Sequence, residues 1–304
     1  MMSALVKWGG VLLGLLLVIG ARSDEQVLAY HHAELLVDVD WVEEQAGKPD
    51  IHIIDIRDHD DYQVGHIPGA VHLNKKKLVD KLHSVPGYLI DQMQFEQVMR
   101  ETGVDNMQKI VVYDDEINLD AARLFYALEN YGHHDVHLLN GGYAAWRAAQ
   151  KQISTLVTEP EEGNFVAQRS AIAVNKQYVN HSIDMDERLI LDVRSPDEYS
   201  GKDVRTKRGG HIPTAVNLEW SQVLSEEGIS FFRPEEEIKA LLEQAGITPE
   251  KEVIIYCQRA NRAAHMYFTL RLMGFHQLRV YEASWEEWGN APETPIENPN
   301  RKKG

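Results

Sequence analysis

The chain repeats itself, and that repeat fixes its architecture before any other property matters. The stretch IHIIDIRDHDDYQVGHIPGAVHLN (51–74) matches RLILDVRSPDEYSGKDVRTKRGGHIPTAVNLEW (188–220). Asp55 pairs with Asp192, Arg57 with Arg194 and Tyr62 with Tyr199 at an offset of 137, and Gly65 pairs with Gly210 at 145. The second copy therefore carries eight extra residues between its tyrosine and its GHIP. Two further blocks follow in the same order. KIVVYDDEINLDAARLFYALENYG (109–132) matches EVIIYCQRANRAAHMYFTLRLMG (252–274), and HLLNGGYAAW (137–146) matches LRVYEASWEEW (278–288). Three matched blocks in one order mean a duplicated domain.

Within a copy, short apolar runs alternate with helical patterns. LILDV, EVIIY and LRVYE read as buried strands, PEEEIKALLEQAG as a capped amphipathic helix, and ANRAAHMYFTLRLMGF as a second helix. Such alternation predicts an α/β fold with a parallel sheet covered on both faces. The segment 151–172 has no repeat partner, holds Pro160 and Gly163, and reads as the linker. The expected layout is residues 33–150, the linker, residues 173–290, and a polar tail over 291–304.

The N-terminus carries Lys7, an apolar stretch from Trp8 to Gly20, and small residues at Ala21 and Ser23. It reads as a signal peptide over 1–23 and predicts an exported, periplasmic protein. The alternative is a membrane anchor formed by residues 8–20, a stretch short for a span of roughly 20 residues. With 304 residues, 43% of them hydrophobic, two cored domains are affordable in length. The formal charge of −16 excludes general nucleic-acid binding, because most of the surface repels phosphate. An anionic substrate then needs a local positive patch.

Cys257 is the only cysteine, so no intramolecular disulfide is possible. A lone cysteine after an apolar strand is often a small core hydrophobe. Here it stands where a strand ends and a helix begins, the edge at which parallel α/β folds bind ligands. The turn Gln258-Arg259-Ala260-Asn261-Arg262 would aim successive N–H groups at the sulfur, and the helix start adds positive potential. Arg259 and Arg262 add full charges, surroundings that favour a nucleophilic thiolate.

These residues resemble a family. Tyr62-Gln-Val-Gly-His66-Ile-Pro-Gly-Ala70-Val-His-Leu73 looks like the N-terminal signature of the rhodanese sulfurtransferases. Tyr281-Glu-Ala-Ser-Trp285-Glu-Glu-Trp288 is similar to their C-terminal signature, with Ala283 where glycine is usual, and Cys257-x4-Arg262 resembles their six-residue active-site loop. The resemblance implies tandem domains, each a five-stranded parallel sheet flanked by helices, and a Cys257 that becomes a persulfide. Related phosphatases use a longer Cys-x5-Arg loop that admits a tetrahedral phosphate, whereas Cys-x4-Arg is sized for one sulfur atom.

The resemblance further implies a small anionic donor such as thiosulfate and a thiophilic acceptor such as cyanide. A persulfide carrier serving a protein acceptor and a 3-mercaptopyruvate enzyme are the alternatives. Membrane association follows only if residues 8–20 are retained. The loop N–H groups from Gln258 to Arg262 would hold the persulfide. Arg259 stands where thiosulfate-using relatives carry a cation, and its alternative is a solvated surface arginine. Arg262 would either face substrate or bond loop carbonyls and helix-start carboxylates. The insertion offers Lys202, Arg205, Lys207 and Arg208 as an anion funnel or as a solvated basic loop.

The first copy has Asp114 in place of Cys257, a loop one residue longer, and the acids Asp115 and Glu116. It is expected to be non-catalytic. Asp192 and Arg194, like His211, recur in that copy as Asp55, Arg57 and His66, so support of the fold is the role expected of them. His31-His32 and His133-His134 show no ligand spacing, so no metal is expected. No glycine-rich phosphate loop suggests a nucleotide cofactor, and none is expected.

Overall fold

The computed structural model describes residues 30–300. The expected signal peptide (1–23) and the alternative anchor (8–20) lie outside these residues, and among the described residues no helix is long and apolar enough to cross a membrane.

The first copy holds β1 (Leu36–Val37), β2 (Ile51–Asp55), β3 (Val71–His72), β4 (Lys109–Tyr113) and β5 (Val136–Leu139), in the sheet order β1-β5-β4-β2-β3. Its helices are α1 (Val39–Gln45), α2 (His59–Val64), α3 (Gln92–Glu101), α4 (Leu119–Asn130) and α5 (Gly142–Ala148). The second copy repeats this with β6 (Ala173–Val174), β7 (Arg188–Asp192), β8 (Val216–Asn217), β9 (Glu252–Tyr256) and β10 (Leu278–Tyr281), in the order β6-β10-β9-β7-β8. Its helices are α6 (Lys176–Ser182), α7 (Pro196–Tyr199), α8 (Glu235–Gln244), α9 (Asn261–Leu272) and α10 (Ser284–Trp288). Every paired strand is parallel. Helices cover both faces, which is why KIVVY and EVIIY read as unbroken apolar runs rather than alternating ones.

The expected cap of α8 is absent. Pro234 stands at its N-cap without a side-chain acceptor, and Glu235, Glu236 and Glu237 in the first turn complement the helix dipole instead.

The copies meet through α4 and α9, both buried almost all round. Phe125 meets Phe268 edge to face at 4.9 Å, and Tyr126 meets Tyr267 at 5.6 Å. One apolar core therefore runs through both copies. The linker has no strand or helix and lies along the first copy, burying Phe165 against Phe95 and pairing Ser154 with His66. The C-terminal segment does the same for the second copy. Glu297 pairs with His211, and Thr294 is buried, so residues up to 300 fold back rather than trail as a tail.

Candidate active site

Cys257 follows the last residue of β9, only 1% exposed, and lines a cleft of about 480 Å³ together with Gln258, Arg259, Asn261, Arg262 and Arg205. Its loop is held from below. The N–H groups of Trp285 and Glu286 donate to the carbonyls of Cys257 and Gln258 at 2.9 and 3.0 Å. The Ser284 hydroxyl accepts the N–H groups of Cys257 and Ala260, both at 3.2 Å. Ala260, the N-cap of α9, adopts a left-handed φ of 63° that turns the loop onto the helix. Between Gln258 and Ala263, Ala260 alone has a backbone N–H with an acceptor among the described residues. The N–H groups of Gln258, Arg259, Asn261, Arg262 and Ala263 remain available, a ready anion cradle at a helix start.

The first copy shows what such a cradle holds. There the Asp114 carboxylate accepts the N–H groups of Asn118 and Asp120 at 3.0 Å and that of Ala121 at 3.4 Å. The loop has swallowed its own anion. A hairpin from the second copy closes the mouth, with Ser230 bonded to Glu116 at 2.8 Å and Phe232 N–H bonded to Asn140 at 3.1 Å. Burial pushes the Asp114 carboxyl up to about 6, with the Asp120 charge adding and the three N–H bonds opposing. Because the folded value lies above the unfolded one, Asp114 contributes stability at low pH that is lost as pH rises through 6. Relative to Asp114→Asn, wild type should lose about 1.4 kcal/mol between pH 5 and pH 8. Urea unfolding at the two pH values checks this, and a constant difference would remove the assigned titration.

The sequence-derived site residues are placed unevenly. Arg262 forms a forked pair with Glu198 at 2.7 and 3.0 Å while still lining the cleft, so its carboxylate-bonding alternative describes the geometry. Burial works against the charge of Glu198, but Arg262 holds its carboxyl down at about 2, aided by Ser195 and Arg205. Arg259 is 54% exposed at its side chain and pairs with Glu286 at 3.0 Å, which also accepts from Gln258. Asp192 and Arg194 form a buried fork that accepts the Tyr256 hydroxyl and reaches the Gly210 carbonyl, and Asp55, Arg57, Tyr113 and Gly65 repeat it. This geometry fits the supporting role. His66 and His211 bond the carbonyls of Tyr62 and Tyr199 at 2.8 Å, again as support.

The funnel is corrected to one residue. Lys202 is exposed and pairs with Asp197 at 3.0 Å. Arg208 donates to the carbonyls of Trp288 and Thr294 at 2.8 and 2.9 Å, and so fastens the segment after α10. Lys207 uses its N–H on Asn290. Only Arg205 lines the cleft, 3.6 Å from Glu198. The fold brings His276 beside His31 and His32, a grouping invisible in sequence spacing.

Four residues escaped sequence reasoning. Ser284 has φ 52°, strained for a serine, where the first copy has Gly142 at φ 54°. The replacement of a glycine by serine at matched positions was the available signal. Glu198 shows no counterpart role in the first copy, and Arg123 and Glu282 meet only across the two copies.

The Rhodanese-like domain family matches residues 38–149 and 175–291. A thiosulfate sulfurtransferase of Corynebacterium glutamicum is 34% identical over 291 residues, covering 90% of this chain and 94% of that protein. The sulfur carrier protein TtuD of Thermus thermophilus is 33% identical over 285 residues, covering 88% and 98%. Among solved structures, SseA from Escherichia coli, described with the 3-mercaptopyruvate sulfotransferases, superposes with a TM-score of 0.75 at 27% identity, covering 83% of this chain and 98% of that one.

Proposed function

This chain belongs to the rhodanese family, and from that premise we propose that it is a sulfurtransferase working through a Cys257 persulfide, with thiosulfate as its donor. One observation carries the reading: Cys257 opens a loop in which, from Gln258 to Ala263, only the Ala260 N–H has an acceptor among the described residues, while the matched loop in the other copy is filled by a carboxylate.

The Cys257 thiolate attacks the outer sulfur of thiosulfate. A new S–S bond forms, the donor's S–S bond breaks, and sulfite leaves with the electron pair. The terminal persulfide anion rests against the free N–H groups at the start of α9, with Arg262 alongside. A thiophile such as cyanide then attacks the terminal sulfur, leaves as thiocyanate, and returns the thiolate. Gln258, Asn261 and the loop backbone bind; Ala260 shapes the turn; Arg205 and Arg259 draw the dianion into a cleft on an otherwise acidic surface. Asp192 and Arg194 brace the strand beside it.

Arg259 favours thiosulfate over 3-mercaptopyruvate, because its exposed guanidinium can meet a sulfonate at the rim. In Arg259→Gly, KM for thiosulfate should rise by up to about fivefold, since an exposed charge contact is worth at most about 1 kcal/mol. Its salt dependence should flatten. The kcat/KM with 3-mercaptopyruvate should not move. Steady-state kinetics with both donors and cyanide as acceptor checks this, and an unmoved donor preference removes Arg259 from its role.

The relative named as a sulfur carrier supports a second reading, in which the persulfide serves a protein acceptor. Rapid persulfide formation with slow turnover on cyanide would favour it. Residues 1–23 support our placing of the enzyme in the periplasm, with Lys7 ahead of an apolar run and Ser23 at the cleavage point.

A further inference from the structure

His31 and His32 stand at the edge of the first copy, just before a single turn at Ala33–Leu35. His276 lies in the turn between α9 and β10 of the second copy. Their approach is built into the backbone. The His32 N–H donates to the Leu272 carbonyl at 3.0 Å, tying the two segments. The His31 ring lies over Gly274, where a Cβ would come within 2.6 Å of it, so the glycine makes room for the imidazole. Ring centroids of the three histidines are 4.8, 5.9 and 6.4 Å apart. One nitrogen from each falls within 4.8 Å of the others.

The middle histidine is prepared as a ligand. His32 Nδ1 is 2.9 Å from a Glu34 carboxylate oxygen, and its Nε2 is buried with no partner among the described residues. A neutral ring that donates from Nδ1 carries its lone pair on Nε2. A carboxylate behind an imidazole is the arrangement that fixes tautomer and ring direction at metal sites.

We propose that His31, His32 and His276 form a binding site for a late first-row divalent cation, with zinc the reference ion, and that Glu34 orients His32. Imidazole donors suit zinc, nickel and copper, and three of them leave a fourth position for water. Bonds of about 2.0–2.1 Å place tetrahedral donors about 3.4 Å apart, closer than in the unbound arrangement. The exposed rings of His31 and His276 therefore swing inward on binding. The site lies at the far end of α9 from Cys257, and twelve helical residues at about 1.5 Å each separate them by about 18 Å. The ion takes no part in sulfur transfer. It clamps the start of the first copy to the second.

The test is calorimetric titration of the full chain with zinc sulfate, in a Cys257→Ser background so that the thiolate cannot compete. One zinc per chain is expected, with affinity falling at least about 100-fold in His276→Ala and His32→Ala, and about tenfold to 100-fold in Glu34→Gln. Added zinc should raise the melting temperature of the parent but not of His276→Ala. His181→Ala, an isolated surface histidine, should titrate like the parent. Circular-dichroism melts without zinc separate lost binding from lost folding, and His276, on an exposed turn, is the decisive position. No one-to-one site at micromolar zinc, an unchanged titration in His276→Ala, or loss of the site in His59→Ala, whose ring faces His72, would each overturn the proposal.

Discussion

The Cys257→Ser variant takes up no sulfur from thiosulfate and loses at least about 10³-fold of its cyanide-dependent turnover. Serine preserves the shape of the strand end, so the loop bonds from Trp285, Glu286 and Ser284 should persist and the variant should melt like wild type. What disappears is the chemistry. A hydroxyl offers no thiolate, and a sulfur bound to oxygen offers no persulfide for the cradle to hold. The first copy cannot substitute, because Asp114 already occupies its loop N–H groups and the hairpin around Ser230 covers its mouth. Intact-mass spectrometry after mixing with thiosulfate reads the result directly: one added sulfur on wild type, none on the variant. An adduct that survives the substitution would falsify the assignment of Cys257.

The strands and the loop were legible in the residues because both report local physics. After their charged first residues, EVIIY and KIVVY run without a charge since parallel strands are covered on both faces, and β9 and β4 coincide with them. The repeat exposed Cys257 by placing Asp114 at its match. The illegible parts all depend on distant segments. Arg208 looked like a basic loop residue, but the insertion folds against carbonyls after α10, which spacing within the insertion does not encode. A helix-start carboxylate was an expected partner of Arg262, but only the fold shows that it is Glu198. His276 likewise meets His31 and His32 only through the fold. The polar tail folds back as a strap because Glu297 finds the backbone of His211.

Arg123→Met is expected to cost about 3–5 kcal/mol of stability, the largest structural effect at the junction of the copies. Arg123 in α4 reaches across to Glu282 after β10, and both side chains are almost wholly buried. Glu282 also accepts the Tyr126 hydroxyl at 2.8 Å and the Leu89 N–H at 3.2 Å. Removing the guanidinium strands a carboxylate in a low-dielectric interior. Removing the carboxylate charge as well should restore most of the loss, because the Glu282→Gln amide keeps its oxygen as acceptor for the Leu89 N–H and can donate its NH2 to the Tyr126 hydroxyl oxygen, without a charge to compensate. A double-mutant cycle by urea unfolding should therefore show Arg123→Met/Glu282→Gln more stable than Arg123→Met, with a coupling of at least about 2 kcal/mol. Turnover should not recover with it. Arg123 also donates to the Gly87 carbonyl at 3.1 Å, and Gly87 packs against Arg259 at the rim of the cleft. A double variant that regains stability yet remains several-fold slower in kcat/KM would separate the two duties of Arg123. A double variant no more stable than Arg123→Met would show that the buried charge pair is not what holds the copies together here.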